Sequence, residues 1–146
     1  MNQGEIGNTF MGISKACDYG ILVVSFFASN PKGYLKSKHD IANALNLPEE
    51  FLSKILQQLV KNNIVESIRG SHGGYKLLKS PQEISLKSVI EVFEGEMHMI
   101  DCLDDNFEDC GRQNQCKPLQ NVMHKVENEI NQILSNVSFK ELAMKG

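Results

Sequence analysis

One stretch decides the fold of this chain: Ser67-Ile68-Arg69-Gly70-Ser71-His72-Gly73-Gly74-Tyr75-Lys76-Leu77. Residues 64–68 and 75–78 alternate between apolar and polar side chains, as strands with one buried face do. The six residues between these segments include three glycines, and a glycine-rich connection of this kind is typical of a hairpin tip. The stretch therefore predicts a two-stranded β hairpin.

Two short helices are predicted directly before this hairpin. Ser37 is a good N-cap for a helix over residues 38–45, and Pro48 stands at the first turn of a second helix that runs to about Asn62. The second helix has one apolar face, which consists of Phe51, Leu52, Ile55, Leu56 and Leu59. Two short helices followed by a hairpin predict a winged helix-turn-helix, a mainly α fold with a two-stranded β wing.

The outer face of the second helix is polar, and its side chains suit a nucleic-acid partner. Short polar groups reach base edges in a major groove, while lysines contact phosphates. Any amphipathic surface helix has a polar outer face, so the hairpin that follows is what favours DNA binding. Arg69, at the base of the hairpin, suits a narrow minor groove. The predicted DNA contacts are Ser37, Lys38, Ser53, Lys54, Gln57, Arg69, Ser71, His72 and Gly73.

Charge is distributed unevenly along the chain, whose net charge is −3. Residues 31–80 carry eight basic and four acidic side chains, whereas residues 81–130 carry four basic and eleven acidic ones. Ordinary solvated faces explain these signs but not their segregation. We interpret the two halves as having different functions, with nucleic-acid binding in the basic half.

A long helix is predicted over residues 118–136. Its apolar side chains form a narrow stripe: Leu119, Val122, Met123, Val126, Ile130, Ile133, Leu134 and Val137. A stripe of this kind suits a partner helix, and packing against its own domain is the alternative. Because helix-turn-helix proteins bind palindromic half-sites as dimers, we interpret this element as the dimerisation helix of a homodimer.

The chain thus divides into four predicted segments. They are a disordered N-terminal extension, a winged helix-turn-helix DNA-binding domain, a cysteine-bearing loop, and a dimerisation helix with a C-terminal tail, over residues 1–10, 11–95, 96–117 and 118–146. Helices over residues 14–29 and 85–94 complete the DNA-binding domain.

Two classes of protein are not expected. The longest apolar run has ten residues, which is too short to span a membrane, and residues 1–10 lack the features of a secretory signal, so a cytoplasmic chain is predicted. The sequence has no nucleophile–base pair or phosphate-binding loop, so the chain is not expected to be an enzyme.

Three of the four cysteines, Cys102, Cys110 and Cys116, are separated by seven and five residues. This spacing lacks the paired C-x2-C units of structural zinc sites. Thiolates are soft ligands that suit iron–sulfur clusters, and structural disulfides are rare in a reducing cytoplasm. Free or disulfide-forming thiols fit the spacing equally well. A cluster here would need a fourth ligand other than cysteine, because no fourth cysteine lies nearby.

Together these residues resemble the family of iron–sulfur-cluster-binding winged-helix transcription regulators typified by IscR and NsrR. The resemblance covers residues 11–143 and is strongest in the wing, in residues 51–56 and 84–90, and in the cysteine triplet. It implies a repressor that binds a double-stranded DNA operator, with Ser53 and Lys54 where the family reads bases and Arg69 where it enters the minor groove.

The resemblance also implies that the cysteine triplet holds a [2Fe-2S] or [4Fe-4S] cluster that responds to nitric oxide or another small oxidant. IscR-type regulators have a histidine three residues after the last cysteine, where this chain has Leu119. NsrR-type regulators use an aspartate near the start of helix 1, donated by the partner subunit, and the matching residue is Asp18. An acid at this position is also favoured by the helix dipole. His124 is a weaker candidate, and Cys17 is interpreted as a buried apolar residue.

Three hypotheses stay open at this point. The first is a regulator whose cluster senses nitric oxide, oxygen, redox or iron–sulfur status. The second is a cluster-free winged-helix regulator that is switched by thiol oxidation or by a protein partner. The third, from another class, is an electron-transfer or metal-storage protein that carries a wing.

Overall fold

The computed structural model describes residues 12–99 and 113–143, and only the backbone of residues 113 and 114. The predicted extension, residues 1–10, lies outside these ranges. The elements follow in the order α1 (Lys15–Ala28), α2 (Lys38–Leu45), α3 (Glu49–Lys61), β1 (Val65–Ile68), β2 (Gly74–Leu77), a 3-10 helix (Pro81–Glu83), α4 (Leu86–Glu94) and α5 (Gln113–Asn136). β1 and β2 pair antiparallel, with Val65 opposite Leu77. The predicted winged helix-turn-helix is therefore confirmed, together with its long C-terminal helix.

Serine N-caps determine where three of the helices begin. The hydroxyls of Ser14, Ser37 and Ser85 each accept a backbone N–H from the residue three positions later, at 3.1 Å. Each bond satisfies one of the N–H groups that a helix start leaves unpaired. Between α2 and α3, Asn46 adopts the left-handed conformation with φ 54°, which ends α2 and turns the chain sharply into α3.

The core lies between α1, α2, α3, the base of the wing and α4. Its fully buried side chains include Val23, Val24, Leu52, Leu56, Leu59, Val65 and Val89. Phe139, which follows α5, is also fully buried in this core. The backbone there bonds to the start of α4, with Leu86 N–H donating to Val137 at 2.8 Å and Phe139 N–H donating to Ile84 at 2.9 Å. The chain beyond α5 thus returns to the winged domain.

A glycine allows α1 and α4 to approach closely. Gly20 lies in α1, and a Cβ atom added there would lie 2.2 Å from the ring of Phe93 in α4. No real Cβ is found so close to another heavy atom, so the ring occupies the space that any larger residue would need. The contact of Phe93 with the backbone of α1 therefore depends on glycine at this position.

The start of α5 differs from the prediction. The prediction placed the helix start at Pro118, in line with the preference of proline for a first helical position. In the structure α5 begins at Gln113, so Cys116 lies in its first turn and Pro118 lies inside the helix. Proline at this point removes only one helical hydrogen bond, close to the end where the first N–H groups have no helical acceptor.

Phe51 also departs from the predicted apolar face of α3. The other four members of that face are buried, whereas the side chain of Phe51 is 42% exposed and packs edge-on against Tyr19 of α1. Phe51 lies near the start of α3, at the rim of the core.

Among the residues that the structure describes, no helix is long and apolar enough to cross a membrane.

Candidate nucleic-acid interface and candidate metal centre

Helix α3 presents its polar face to solvent because four of the five residues of its apolar face are buried in the core. Leu52, Ile55, Leu56 and Leu59 are at most 2% exposed, which determines the rotation of the helix about its axis. Consequently Lys54 and Gln57 are exposed and Ser53 is half-buried. An exposed ammonium and an exposed amide on one helix face are suitable for phosphate and base contacts.

A polar contact joins α2 to the start of α3, and a second one lies within α2. His39 Nδ1 of α2 lies 3.2 Å from Glu49 Oε2 at the start of α3, and Asn43 Nδ2 lies 3.2 Å from His39 Nε2. The hydroxyl of Ser37 is engaged as the cap of α2, and Lys38 is half-buried beside it. Two predicted DNA contacts thus lie at the N-terminal end of α2, where unpaired backbone N–H groups favour an anion.

The tip of the wing is a tight turn that requires its glycines. Gly73 N–H donates to the carbonyl of Gly70 at 3.0 Å, and Gly70 has a φ of 112°. A Cβ on Gly73 would lie 2.1 Å from the carbonyl oxygen of Ile68. The turn leaves Arg69, Ser71 and His72 exposed, while Gly73 is half-buried.

The wing is attached to the segment that leads into α2. Lys36 and Tyr75 exchange two backbone hydrogen bonds, at 3.0 and 2.8 Å. The approach is so close that a Cβ on Gly74 would lie 2.5 Å from the carbonyl oxygen of Lys36. The ammonium of Lys36 lies 5.4 Å from the ring centroid of Tyr34. Wing and helix-turn-helix therefore form one connected surface.

Lys36 is a cation of this surface that the sequence analysis missed. Its backbone pairing with the wing depends on residues 39 positions apart, so no local pattern marks it. The nine predicted DNA contacts lie on α2, on α3 and at the wing tip. Their contact with DNA stays a prediction.

The candidate metal ligands are only partly within the described ranges. Cys116 is a free, half-buried thiol in the first turn of α5. Asp18 lies in the first turn of α1 and is exposed. Cys102 and Cys110 lie outside the described residues. Within residues 12–99 and 113–143, no group of three or more histidine, cysteine or acidic side chains could hold a metal ion.

Cys17 is a core residue, as the sequence predicted. It is fully buried, and burial raises the pKa of its thiol to about 12, with the carboxylates of Glu94 and Asp18 adding to the effect. A thiol with such a pKa is protonated at neutral pH and is a poor metal ligand. His124, the weaker candidate, is exposed on α5.

Helix α5 has two apolar faces. Met123, Ile130 and Leu134 are half-buried, whereas Leu119, Val122 and Ile133 are 48%, 57% and 63% exposed. The predicted stripe therefore divides, and part of it packs towards its own domain. On the inner face lies a buried acid, Glu127, which the sequence analysis also missed. Its signal was available, since residues 123, 127, 130 and 134 have helical spacing.

Comparison with known proteins identifies relatives for almost the whole chain. A family model named Rrf2, described as "Iron-dependent Transcriptional regulator", matches residues 13–145. The HTH-type transcriptional regulator NsrR of Halalkalibacterium halodurans is 26% identical over 132 residues, which are 90% of each chain. These matches confirm that the relatives are transcription regulators and not enzymes.

Solved structures show the same fold. The global cysteine regulator CymR of B. subtilis superposes with a TM-score of 0.70 at 23% identity, covering 91% of this chain and 96% of that one. The oxidized form of Staphylococcus aureus CymR superposes with a TM-score of 0.63 at 27% identity, covering 93% of this chain and 98% of that one.

Proposed function

Because this chain belongs to the Rrf2 family of transcription regulators, we propose that it is a dimeric repressor whose affinity for a DNA operator is controlled by an iron–sulfur cluster. The cluster senses nitric oxide, oxygen, redox state or iron–sulfur status. One observation supports this proposal above the others: a cysteine triplet follows a winged helix that exposes its polar recognition face.

The DNA contacts in this proposal are divided between two grooves. Ser53, Lys54 and Gln57 of α3 read the major groove, with Ser37 and Lys38 on the adjoining phosphates. Arg69 enters the minor groove. Ser71, His72 and Gly73 at the wing tip contact the sugar–phosphate backbone of the DNA. The exposure of Lys54, Gln57, Arg69, Ser71 and His72, on elements that the backbone pairing of Lys36 with Tyr75 connects, supports this assignment.

The dimer forms through the outer face of α5. Leu119, Val122 and Ile133 are large apolar side chains that a single subunit leaves exposed. An exposed apolar stripe on a helix marks a protein contact, and a second copy of the same helix covers it with a matching stripe. Two subunits then present two recognition helices to a palindromic operator in the cytoplasm.

The cluster ligands are Cys102, Cys110 and Cys116 of one subunit and Asp18 of the other. The donor set fits a [2Fe-2S] or [4Fe-4S] group, since thiolates are its usual ligands and a carboxylate completes the fourth position. Asp18 suits this role because it is exposed and makes no side-chain hydrogen bond to the described residues. A bound cluster supplies a reactive centre for nitric oxide, and a shared ligand would couple its state to the dimer.

The cluster is tested on protein purified without oxygen, by its absorbance and by iron and sulfide assays. We expect a coloured protein, and we expect Asp18→Ala to shorten the lifetime of the cluster. Asp40→Ala is the matched control, because Asp40 is also an exposed acid in a first helical turn. A colourless, iron-free protein that still binds its operator would contradict cluster control.

The DNA-binding face is tested by titrating operator DNA at several salt concentrations. We expect Arg69→Ala to weaken specific binding by roughly tenfold or more, the order of one lost groove contact. Lys140→Ala is the control, because Lys140 is exposed but lies after α5. Equal affinities of the two variants would contradict the assignment of Arg69.

A second candidate function is a cluster-free regulator that is switched by thiol oxidation or by a protein partner. The likeness to S. aureus CymR, whose structure was solved in an oxidized form, favours it. The two candidates differ in one measurement: peroxide would change operator affinity in an iron-free protein only under the second.

A further inference from the structure

Glu127 is a buried acid near the middle of α5, and neither the DNA-binding face nor the candidate cluster ligands involve it. Only 6% of its surface is exposed. Its Oε2 accepts the backbone N–H of Met99 at 3.0 Å, and its Oε1 lies 3.4 Å from Nδ1 of His98. The other ring nitrogen of His98 lies 3.6 Å from Glu96 Oε2. One carboxylate thus contacts two consecutive residues of the segment after α4.

This contact joins two parts of the chain that carry or adjoin the cysteine triplet. Residues 96–99 lead directly into residues 100–112, which carry Cys102 and Cys110. Helix α5 carries Cys116 at its start and the exposed apolar stripe along its outer face. Glu127 therefore joins the entrance of the cysteine-bearing segment to the helix that we assign to the dimer.

The two sides of the contact depend on each other energetically. A carboxylate removed from water needs hydrogen-bond donors, and Met99 N–H is the donor that Glu127 has among the described residues. Nδ1 of His98 is also buried and makes no hydrogen bond of ordinary geometry within the described residues. With a proton on Nδ1, the imidazole N–H faces the carboxylate of Glu127. Each group then supplies the other with a polar partner that burial would otherwise deny it. Moving residues 98 and 99 away would leave the buried carboxylate without the partners that it has among the described residues, which destabilises that position of α5.

We propose that Glu127 is a positioning residue that transmits the state of the cysteine-bearing segment to α5. If loss of the cluster displaces residues 98 and 99, Glu127 loses these two partners, and α5 shifts to solvate or re-pair its carboxylate. The spacing of the two recognition helices changes with it. This inference rests on the proposed cluster-controlled function, whereas the contact itself is made by protein groups alone.

The contact is tested first in the full-length, cluster-free protein by amide hydrogen exchange at Met99. We expect Glu127→Ala to speed exchange by about tenfold or more, the value of one hydrogen bond to a charged acceptor. Glu127→Gln restores most of the protection, because its amide oxygen still accepts the Met99 N–H. Glu129→Ala is the matched control, an exposed acid two residues further along α5. Unchanged exchange in Glu127→Ala would overturn the proposal.

Transmission is tested by the ratio of operator affinities with and without the cluster. We expect Glu127→Ala to reduce this ratio of affinities at least about threefold, towards a value of one. Glu129→Ala and Glu127→Gln should leave the ratio near that of the unmodified chain. An unchanged ratio in Glu127→Ala overturns transmission. If the unmodified chain binds no cluster, the proposed function fails, whereas the Met99 exchange still decides on the contact. If Glu127→Ala does not fold, His98→Ala replaces it in the affinity measurement, with the same expected change.

Discussion

Helices α3 and α5 are both amphipathic, but they use their apolar residues in opposite ways. In α3 the apolar face is buried almost completely, and the surface that remains is polar. In α5 some apolar residues pack inwards, while the side chains of Leu119, Val122 and Ile133 are 48–63% exposed. The same kind of sequence pattern therefore leaves a polar surface exposed on α3 and a partly apolar surface exposed on α5.

This difference indicates which partner each helix serves. The polar surface of α3 exposes Lys54 and Lys61 as well as Glu49 and Glu50, and such a surface is stable in water. Its lysines are available for the phosphates of DNA. An apolar helix surface is costly in water until another protein covers it. The winged domain thus buries its apolar face within one subunit, whereas the outer face of α5 is exposed and is the face that we propose a second subunit covers.

The largest expected effect contrasts buried and exposed positions of the two helices. Leu56→Ala in α3 should lower the free energy of unfolding by about 2–5 kcal/mol, because it opens a cavity in a fully buried site. Ile133→Ala in α5 should change the stability of the separated subunit by less than about 0.5 kcal/mol but weaken self-association. Urea unfolding at several protein concentrations, together with sedimentation, measures both quantities.

The contrast between α3 and α5 would be refuted if Leu56→Ala and Ile133→Ala lowered the stability of the separated subunit equally. A loss of subunit stability in Ile133→Ala as large as that in Leu56→Ala would mean that the outer face of α5 is buried within its own chain. Sedimentation of the unmodified chain as a monomer at every concentration would contradict the assignment of α5 to the dimer.

A smaller effect is expected where α1 meets α4. Gly20→Ala should destabilise the winged domain by about 1–3 kcal/mol, because the new methyl group overlaps the ring of Phe93. Thermal unfolding measures the loss. Shortening the opposing side chain in Gly20→Ala/Phe93→Leu should recover part of it, as a double-mutant cycle would show. If Gly20→Ala were neutral, the close approach of these two helices would be refuted.

The effect that is smallest at neutral pH concerns the buried thiol of α1, because this thiol is protonated there in both the folded and the unfolded chain. The pKa of Cys17 is about 12 in the folded chain against an ordinary value of 9.0, so the unfolded chain releases this proton first. Folding stability should therefore fall as the pH rises from about 9 towards 12. Cys17→Ala should reduce that slope, as measured by urea unfolding across this pH range. The same slope in both proteins would show that the thiol is solvated in the folded state.

Much of the fold follows from local signals. Ser14, Ser37 and Ser85 act as the N-caps of α1, α2 and α4 within one residue of the predicted starts, because capping depends on neighbours three residues away. Residues 67–77 form the wing as predicted, since glycines and alternating side chains specify a hairpin over a short distance. The family assignment of these segments was also available from the sequence alone.

The sequence by itself determined the helix-turn-helix, the wing, the polar face of α3 and the presence of the cysteine triplet. Tertiary structure alone decided that Phe139 completes the core, that Gly20 admits Phe93, and that Glu127 contacts residues 98 and 99. It also divided the apolar side chains of α5 between an inner and an outer face. The physical reason is distance along the chain: capping and periodicity act within a few residues, whereas burial depends on which distant segments come together.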